Sequence, residues 1–343
     1  MKPIAYFDTS HDLPEEVITA AGFPPYKILG DVHVLTEAAD QYLPSFFCPA
    51  ARSFLTEALT RSAEWAGIIV AQGCNSTNRH YDVWRLHVKT PFLHWFNAPL
   101  KDDALAAKFF RVELKRMIAA LEKQYDITIA DEKLGESIKR SNEIKRRLQR
   151  FAALRADRDI PNREYLNLLI KCLQSPRDDI ISRLDSELDR YEARPAFPAG
   201  KKRILLTGSD ITYPEWMETL DACGFRVVRD DLSLGERYFA RLIAEQGNPI
   251  DALGEYYLNV PKPATKVGMQ KRIDYLLGAL AETKIDAVIS QNLKFCEPYA
   301  FDAVLVNAAI QQKGYRLIHL ERDYAPVPGE QIVNRLTAFS EMI

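Results

Sequence analysis

Three of the five cysteines in this chain sit where a thiolate could do chemistry. Cys74 follows the apolar run Ile68-Ile69-Val70-Ala71 and lies in Gln72-Gly73-Cys74-Asn75-Ser76-Thr77, which reads as a loop leaving a strand and entering a helix. Cys296 follows Val288-Ile289-Ser290 and precedes Glu297-Pro298, the same context. Cys48 precedes Pro49 and the helical stretch Ala50-Ala51-Arg52-Ser53-Phe54-Leu55. Ligands of open α/β sheets bind at the carboxyl ends of the strands, so all three thiols are predicted at a functional edge. Each also lies near a helix N-terminus, whose positive end favours thiolate. Two come from the first half of the chain and one from the second, so they could converge across an interdomain cleft.

Three such thiols admit three outcomes: a zinc site, an iron–sulfur cluster, or no meeting at all. Structural zinc normally shows close Cys or His pairs, and the sequence has none. The spacings are also unlike ferredoxin cluster motifs. Three cysteines on a four-iron cluster would leave one iron open to water or substrate. Cys172, in Leu168-Leu169-Ile170-Lys171-Cys172-Leu173, and Cys223, in Leu220-Asp221-Ala222-Cys223-Gly224-Phe225, have the surroundings of small buried hydrophobes. His80, His87 and His94 form no metal pair. His11, in Thr9-Ser10-His11-Asp12, leaves the first strand at the same predicted edge, which makes Ser10 and His11 candidates by location. Neither nucleotide-binding glycine spacing is present, so any ATP would be bound by another protein.

The elements that must position these residues alternate as in parallel-sheet α/β domains. Strand candidates are Ile4–Phe7, Tyr26–Leu29, Gly67–Ala71, Pro91–Trp95, Arg203–Thr207, Arg226–Arg229, Ala287–Ser290 and Arg316–Leu320. Helices are expected from about Pro14, Pro49 and Ser76, and over Tyr213–Cys223, Gly235–Gln246, Thr265–Glu282, Pro298–Gln312 and Glu330–Glu341. From Asp102 to about Glu192 the pattern is one of long helices, with Leu134, Ile138, Ile144, Leu148 and Leu154 at helical spacing. The Pro- and Gly-bearing stretch 193–200 reads as a linker. The expected architecture is two flavodoxin-like doubly wound parallel-sheet domains, residues 1–100 and 196–343, with a helical segment and linker, 101–195, between them.

At 343 residues the chain is long enough for two cores. A formal charge of −2 with Lys and Arg interspersed among Asp and Glu leaves no nucleic-acid footprint or membrane-surface patch. Lys145-Arg146-Arg147 reads as a solvated helix face because acidic residues flank it. No window approaches the roughly 20 apolar residues of a membrane span. The opening residues run into a strand without a secretory pattern, so a cytoplasmic location is expected. In that reducing compartment five cysteines are not a disulfide framework.

Four blocks resemble the 2-hydroxyacyl-CoA dehydratase and benzoyl-CoA reductase family. Pro14-Glu15-Glu16-Val17-Ile18-Thr19-Ala20-Ala21-Gly22-Phe23 looks like the opening segment of the 2-hydroxyglutaryl-CoA dehydratase D-component. Cys74-Asn75 with Arg79 and Tyr81-Asp82-Val83-Trp84 looks like its second cysteine block. Lys294-Phe295-Cys296-Glu297-Pro298 looks like its third, and Leu320-Glu321-Arg322-Asp323-Tyr324 with Gly329-Glu330-Gln331 and Arg335 like its closing motif. The resemblance implies one [4Fe-4S] cluster per chain on Cys48, Cys74 and Cys296, a homologous second subunit in a heterodimer, and a separate iron–sulfur activator that hydrolyses ATP. It implies an acyl-CoA thioester substrate in an anaerobic cytoplasm: a (R)-2-hydroxyacyl-CoA that loses water through a ketyl radical, or an aromatic ring that is reduced. An electron-transfer or scaffold subunit that binds no substrate is the reading from another class. Glu16 falls on the family's Pro-x-Glu block as an acid–base candidate, although an acid at a helix start also suits the dipole. Asn75 stands where Asp is common in the family, and Lys262 where many members have another cysteine.

Overall fold

The computed structural model describes residues 1–9 and 11–343. Ser10 therefore lies outside the described residues. Eight strands form two sheets in which every ladder is parallel. β1 (Ile4–Phe7), β2 (Pro25–Lys27), β3 (Gly67–Ala71) and β4 (Leu93–Phe96) lie in the order β2-β1-β3-β4. β5 (Lys202–Gly208), β6 (Phe225–Asp231), β7 (Ala287–Leu293) and β8 (Leu317–Arg322) repeat it as β6-β5-β7-β8. β1, β3 and β7 are buried along their whole length, as strands must be when helices cover both faces. In this flavodoxin-like order the winding reverses between β1 and β3, and again between β5 and β7. All eight predicted strands are present, their ends moved by at most three residues.

Four helices, Ala104–Tyr125, Asp131–Leu154, Asn162–Gln174 and Arg177–Glu192, connect the sheets. Asp103 caps the first by accepting the Ala106 N–H at 2.9 Å, and Asp126 at φ 51° ends it. Leu134, Ile138, Ile144 and Leu148 are buried as their spacing predicts, whereas Leu154 only packs against the core's edge. The basic triplet is a correction: Lys145 is fully buried against Glu16, and only Arg146 and Arg147 reach the surface, paired with Glu245 and Asp185.

The expected helix over Gly235–Gln246 is a single turn, Glu236–Phe239. Asn142 ends it by bonding both backbone groups of Ile243, at 2.8 and 2.9 Å, a tertiary contact that outweighs local helical preference. A helix not foreseen, Pro249–Asn259, starts anew because Asn248 accepts the N–H groups of Ile250 and Asp251 and Pro249 fits the first turn. Its Leu253, Tyr256 and Tyr257 join Phe110, Leu114 and Met117 in the core beneath the first sheet. Each such fully buried side chain contributes roughly 1.5–3 kcal/mol. This segment of the second half therefore packs against the first sheet.

Candidate metal centre

Residues leaving the carboxyl ends of strands in both sheets line one cavity of about 740 Å³, counting its opening to solvent. Cys48, Cys74 and Cys296 all line it. Each is the N-cap residue of a helix: Pro49–Arg61, Asn75–His87 and Glu297–Gln312 respectively. Local backbone chemistry sets these positions. A Cβ at Gly73 would run into Thr9 Oγ1, so glycine lets the loop carrying Cys74 press against the exit of β1. Gly208, at φ 121°, lets the exit of β5 lie against β7, where a Cβ would strike the Gln291 carbonyl. Phe295 takes a left-handed φ of 64° in the turn closed by the Cys296 N–H on the Leu293 carbonyl, and so throws Cys296 back toward the cavity.

The thiols bear on one another electrostatically. Burial pushes Cys48 up to about 12, and the Cys296 and Cys74 sulfurs add to it, against the N–H groups of Ala51 and Ala50. Burial also raises Cys296, opposed by hydrogen bonds from the Ser209 hydroxyl and the Tyr299 N–H. Cys74 Sγ lies 3.2 Å from Thr77 Oγ1. Without a cation Cys48 and Cys296 keep their protons, and a metal would displace them. Among the described residues no three His, Cys, Asp or Glu side chains stand close enough to hold a single ion. That spacing does not suit one zinc, which gathers its ligands at about 2.3 Å. In a polynuclear cluster each thiolate takes a different iron, and the donor set of three cavity thiols suits such a group. Cys172 is fully buried in an apolar core, where burial raises it to about 12, and Cys223 ends the helix Glu215–Ala222 close to Thr337.

Two carboxyl groups also line the cavity, and strand-exit reasoning had not named either. Asp8, directly after β1, accepts the Asp12 and Leu13 N–H groups at 3.0 Å and pairs with the buried Lys27. Burial works against its ionisation, but the Lys27 ammonium prevails and holds the carboxyl below its usual range. Asp210, two residues after β5, accepts the Ser233 N–H at 2.6 Å, and burial raises its carboxyl despite Arg237 and Lys27 nearby. The logic that picked Ser10 and His11 at the exit of β1 points to Ser209 and Asp210 when applied to β5.

The other acid–base candidates lie elsewhere. Glu16 is not among the cavity's lining residues; it accepts hydrogen bonds from Ser141 Oγ at 2.6 Å and Tyr257 Oη at 2.7 Å, beside Lys145. His11 packs its ring edge-on to Tyr238, and burial lowers it to about 3. Neither of its ring nitrogens has a hydrogen-bond partner among the described residues.

The model of the family described as 2-hydroxyglutaryl-CoA dehydratase, D-component, matches residues 11–343. The chain belongs to that family. The D-component match runs from the β1 exit through all three cavity cysteines to the last helix. Among curated relatives, the (R)-phenyllactyl-CoA dehydratase beta subunit of Clostridium sporogenes is 25% identical over 96% of this chain and 89% of its own length. The beta subunit of lactoyl-CoA dehydratase from Anaerotignum propionicum is 23% identical with the same coverage. A benzoyl-CoA reductase subunit from Thauera aromatica is 24% identical over 87% of this chain and 79% of its own length. Several D-component relatives are thus named as one subunit of a larger enzyme. Among the described residues no helix is long and apolar enough to cross a membrane.

Proposed function

We propose that this chain is the iron–sulfur subunit of an ATP-activated (R)-2-hydroxyacyl-CoA dehydratase, paired with a homologous second subunit and served by a separate ATP-hydrolysing activator. The observation that carries the reading is the one cavity lined by three thiols, each at a helix N-terminus, in a family whose relatives are named as CoA-thioester enzymes. Cys48, Cys74 and Cys296 would hold one [4Fe-4S] cluster. When bound, such a group supplies low-potential electron storage and a Lewis-acidic iron.

The chain's own residues supply the rest. N–H groups at the helix starts, from Ala50 and Ala51 to Cys48 and from Tyr299 to Cys296, stabilise charge on those sulfurs, as does the Ser209 hydroxyl on Cys296. Phe7, Ile28, Leu29, Phe54 and Leu293 make the wall largely apolar, which excludes water and strengthens every charge interaction inside. Asp8 is held ionised by Lys27, whereas Asp210, with Oδ1 taken by the Ser233 N–H, is the carboxyl suited to holding a proton at the cavity. Glu16, enclosed by Ser141, Lys145 and Tyr257, serves the fold in this reading. An oxygen-sensitive cluster suits an anaerobic cytoplasm.

The 24% identity to the benzoyl-CoA reductase relative, level with the dehydratase relatives, supports a second reading as a ring-reducing subunit. Products separate the two. With partner and activator supplied anaerobically, a 2-hydroxyacyl-CoA loses water in a redox-neutral reaction, whereas an aromatic thioester consumes electrons. Turnover of neither, together with no acyl-CoA binding by the subunit pair, would leave an electron-transfer or scaffold subunit.

A further inference from the structure

Six arginines are buried among the described residues: Arg155, Arg177, Arg226, Arg237, Arg272 and Arg322. Five are ion-paired. Arg155 meets Asp230 and Glu236, Arg177 meets Glu15, Arg226 meets Asp159 and Asp221, and Arg237 and Arg272 share Asp231. Arg322 is 1% exposed, and among the described residues its guanidinium has no carboxylate within ion-pair distance. Its guanidinium is held only by neutral acceptors: Gln291 Oε1 at 2.7 Å, Tyr213 Oη at 3.0 Å and the Asp210 carbonyl at 2.7 Å. A buried charge is normally paired, because desolvation is costly and neutral hydrogen bonds leave the charge itself uncompensated.

Arg322 closes β8 directly behind the cavity wall. Gln291, which it orients, donates from Nε2 to the Ser209 carbonyl; the Ser209 hydroxyl in turn bonds the Cys296 sulfur. Asp210, whose carbonyl Arg322 holds, and Tyr324, two residues beyond Arg322, line the cavity themselves. The charge of Arg322 reaches the Cys296 sulfur. Three thiolates around an iron–sulfur core carry net negative charge, and one-electron reduction adds to it. We propose that Arg322 is the fixed counter-charge of the anionic centre held by Cys48, Cys74 and Cys296, and that it raises that centre's reduction potential. The proposal rests on the cluster reading above. It gives the Leu320-Glu321-Arg322-Asp323-Tyr324 motif a positioning residue: Arg322 acts through the field and through Gln291 and Ser209, without touching the group.

The test is a reductive titration of the full chain, reconstituted anaerobically, with the midpoint read from its paramagnetic signal and iron counted in each sample. Arg322→Gln is expected to shift the ratio of reduced to oxidised centre at least tenfold toward oxidised, a fall of about 59 mV for one electron. Arg322→Lys, which keeps the charge, and Tyr213→Phe, which removes one hydrogen bond and no charge, should stay near the wild-type midpoint. If Arg322→Gln fails to fold or load, Gln291→Glu decides, because it sets a carboxylate against the guanidinium and should lower the midpoint in the same direction. An unchanged midpoint in a fully loaded Arg322→Gln or Gln291→Glu protein overturns the counter-charge alone, and so does an equal fall in Tyr213→Phe. No cluster in the wild type overturns the site reading with it.

Discussion

Two buried polar regions lie close to β1, and they are built to different ends. Around Glu15 and Glu16 every charge is answered from within. Glu15 accepts from Tyr6 and Tyr238 at 2.6 Å and pairs with Arg177 at 2.6 Å; Glu16 is enclosed by Ser141, Lys145 and Tyr257. Burial opposes ionisation of Glu15, yet the Arg177 and Lys145 charges carry its carboxyl down to about 2. Burial also lifts the Tyr6, Tyr238 and Tyr257 hydroxyls well above their usual range, so they stay donors. The thiol cavity is half-buried and open-ended: three cysteines have no covalent partner, and Arg322, buried nearby, has no carboxylate within ion-pair distance among the described residues. A closed network ties helices to a sheet, whereas the open one keeps its thiols free to take a ligand.

The largest effect that would sharpen this contrast comes from the thiols. Cys48→Ser, Cys74→Ser and Cys296→Ser are each expected to abolish iron retention in anaerobically reconstituted protein, while Cys223→Ser retains the wild-type content. Iron analysis on matched samples checks this, and equal losses in all four would break the assignment. Lys145→Met strands the Glu16 charge and should cost about 3–5 kcal/mol in urea unfolding, with iron per folded chain unchanged. Tyr257→Phe removes a hydrogen bond to that carboxylate and should cost about 1.5–3 kcal/mol in the same assay. Iron loss in either variant would mean that the two regions are one functional unit.

The smallest effect is a slope in pH. Burial holds the imidazoles of His11 and His80 down at about 3, against about 6.5 in an unfolded chain. Between those values the unfolded state binds the proton and the folded state does not, so stability falls as pH is lowered through this window. Metal-free protein should lose about 1.4 kcal/mol per pH unit for each such histidine, and His80→Gln should flatten the slope by one residue's share. An unchanged slope in His80→Gln from pH 6 to 5 would contradict the neutral buried ring at that position.

Much of the frame was legible because short continuous apolar runs such as Gly67–Ala71 and Ala287–Ser290 read as buried parallel strands, and Pro49 and Pro298 mark helix starts at the cysteines. The strand-exit rule then brought Cys48, Cys74 and Cys296 to one cavity. What escaped depends on distant partners. Asn142 cuts short a helix a hundred residues away, and Lys145 looks solvated until Glu16 is set against it. The isolation of Arg322 is a statement about every carboxylate in the fold, and no local pattern carries it.

The central claim is that the three cavity thiols hold a cubane. Iron and acid-labile sulfide on anaerobically purified protein, with visible and paramagnetic spectra, test it most directly. About four of each per chain is the expected result for three cysteines on a four-iron cluster. No iron after anaerobic reconstitution would contradict it, and would leave a family member whose cavity has lost its chemistry.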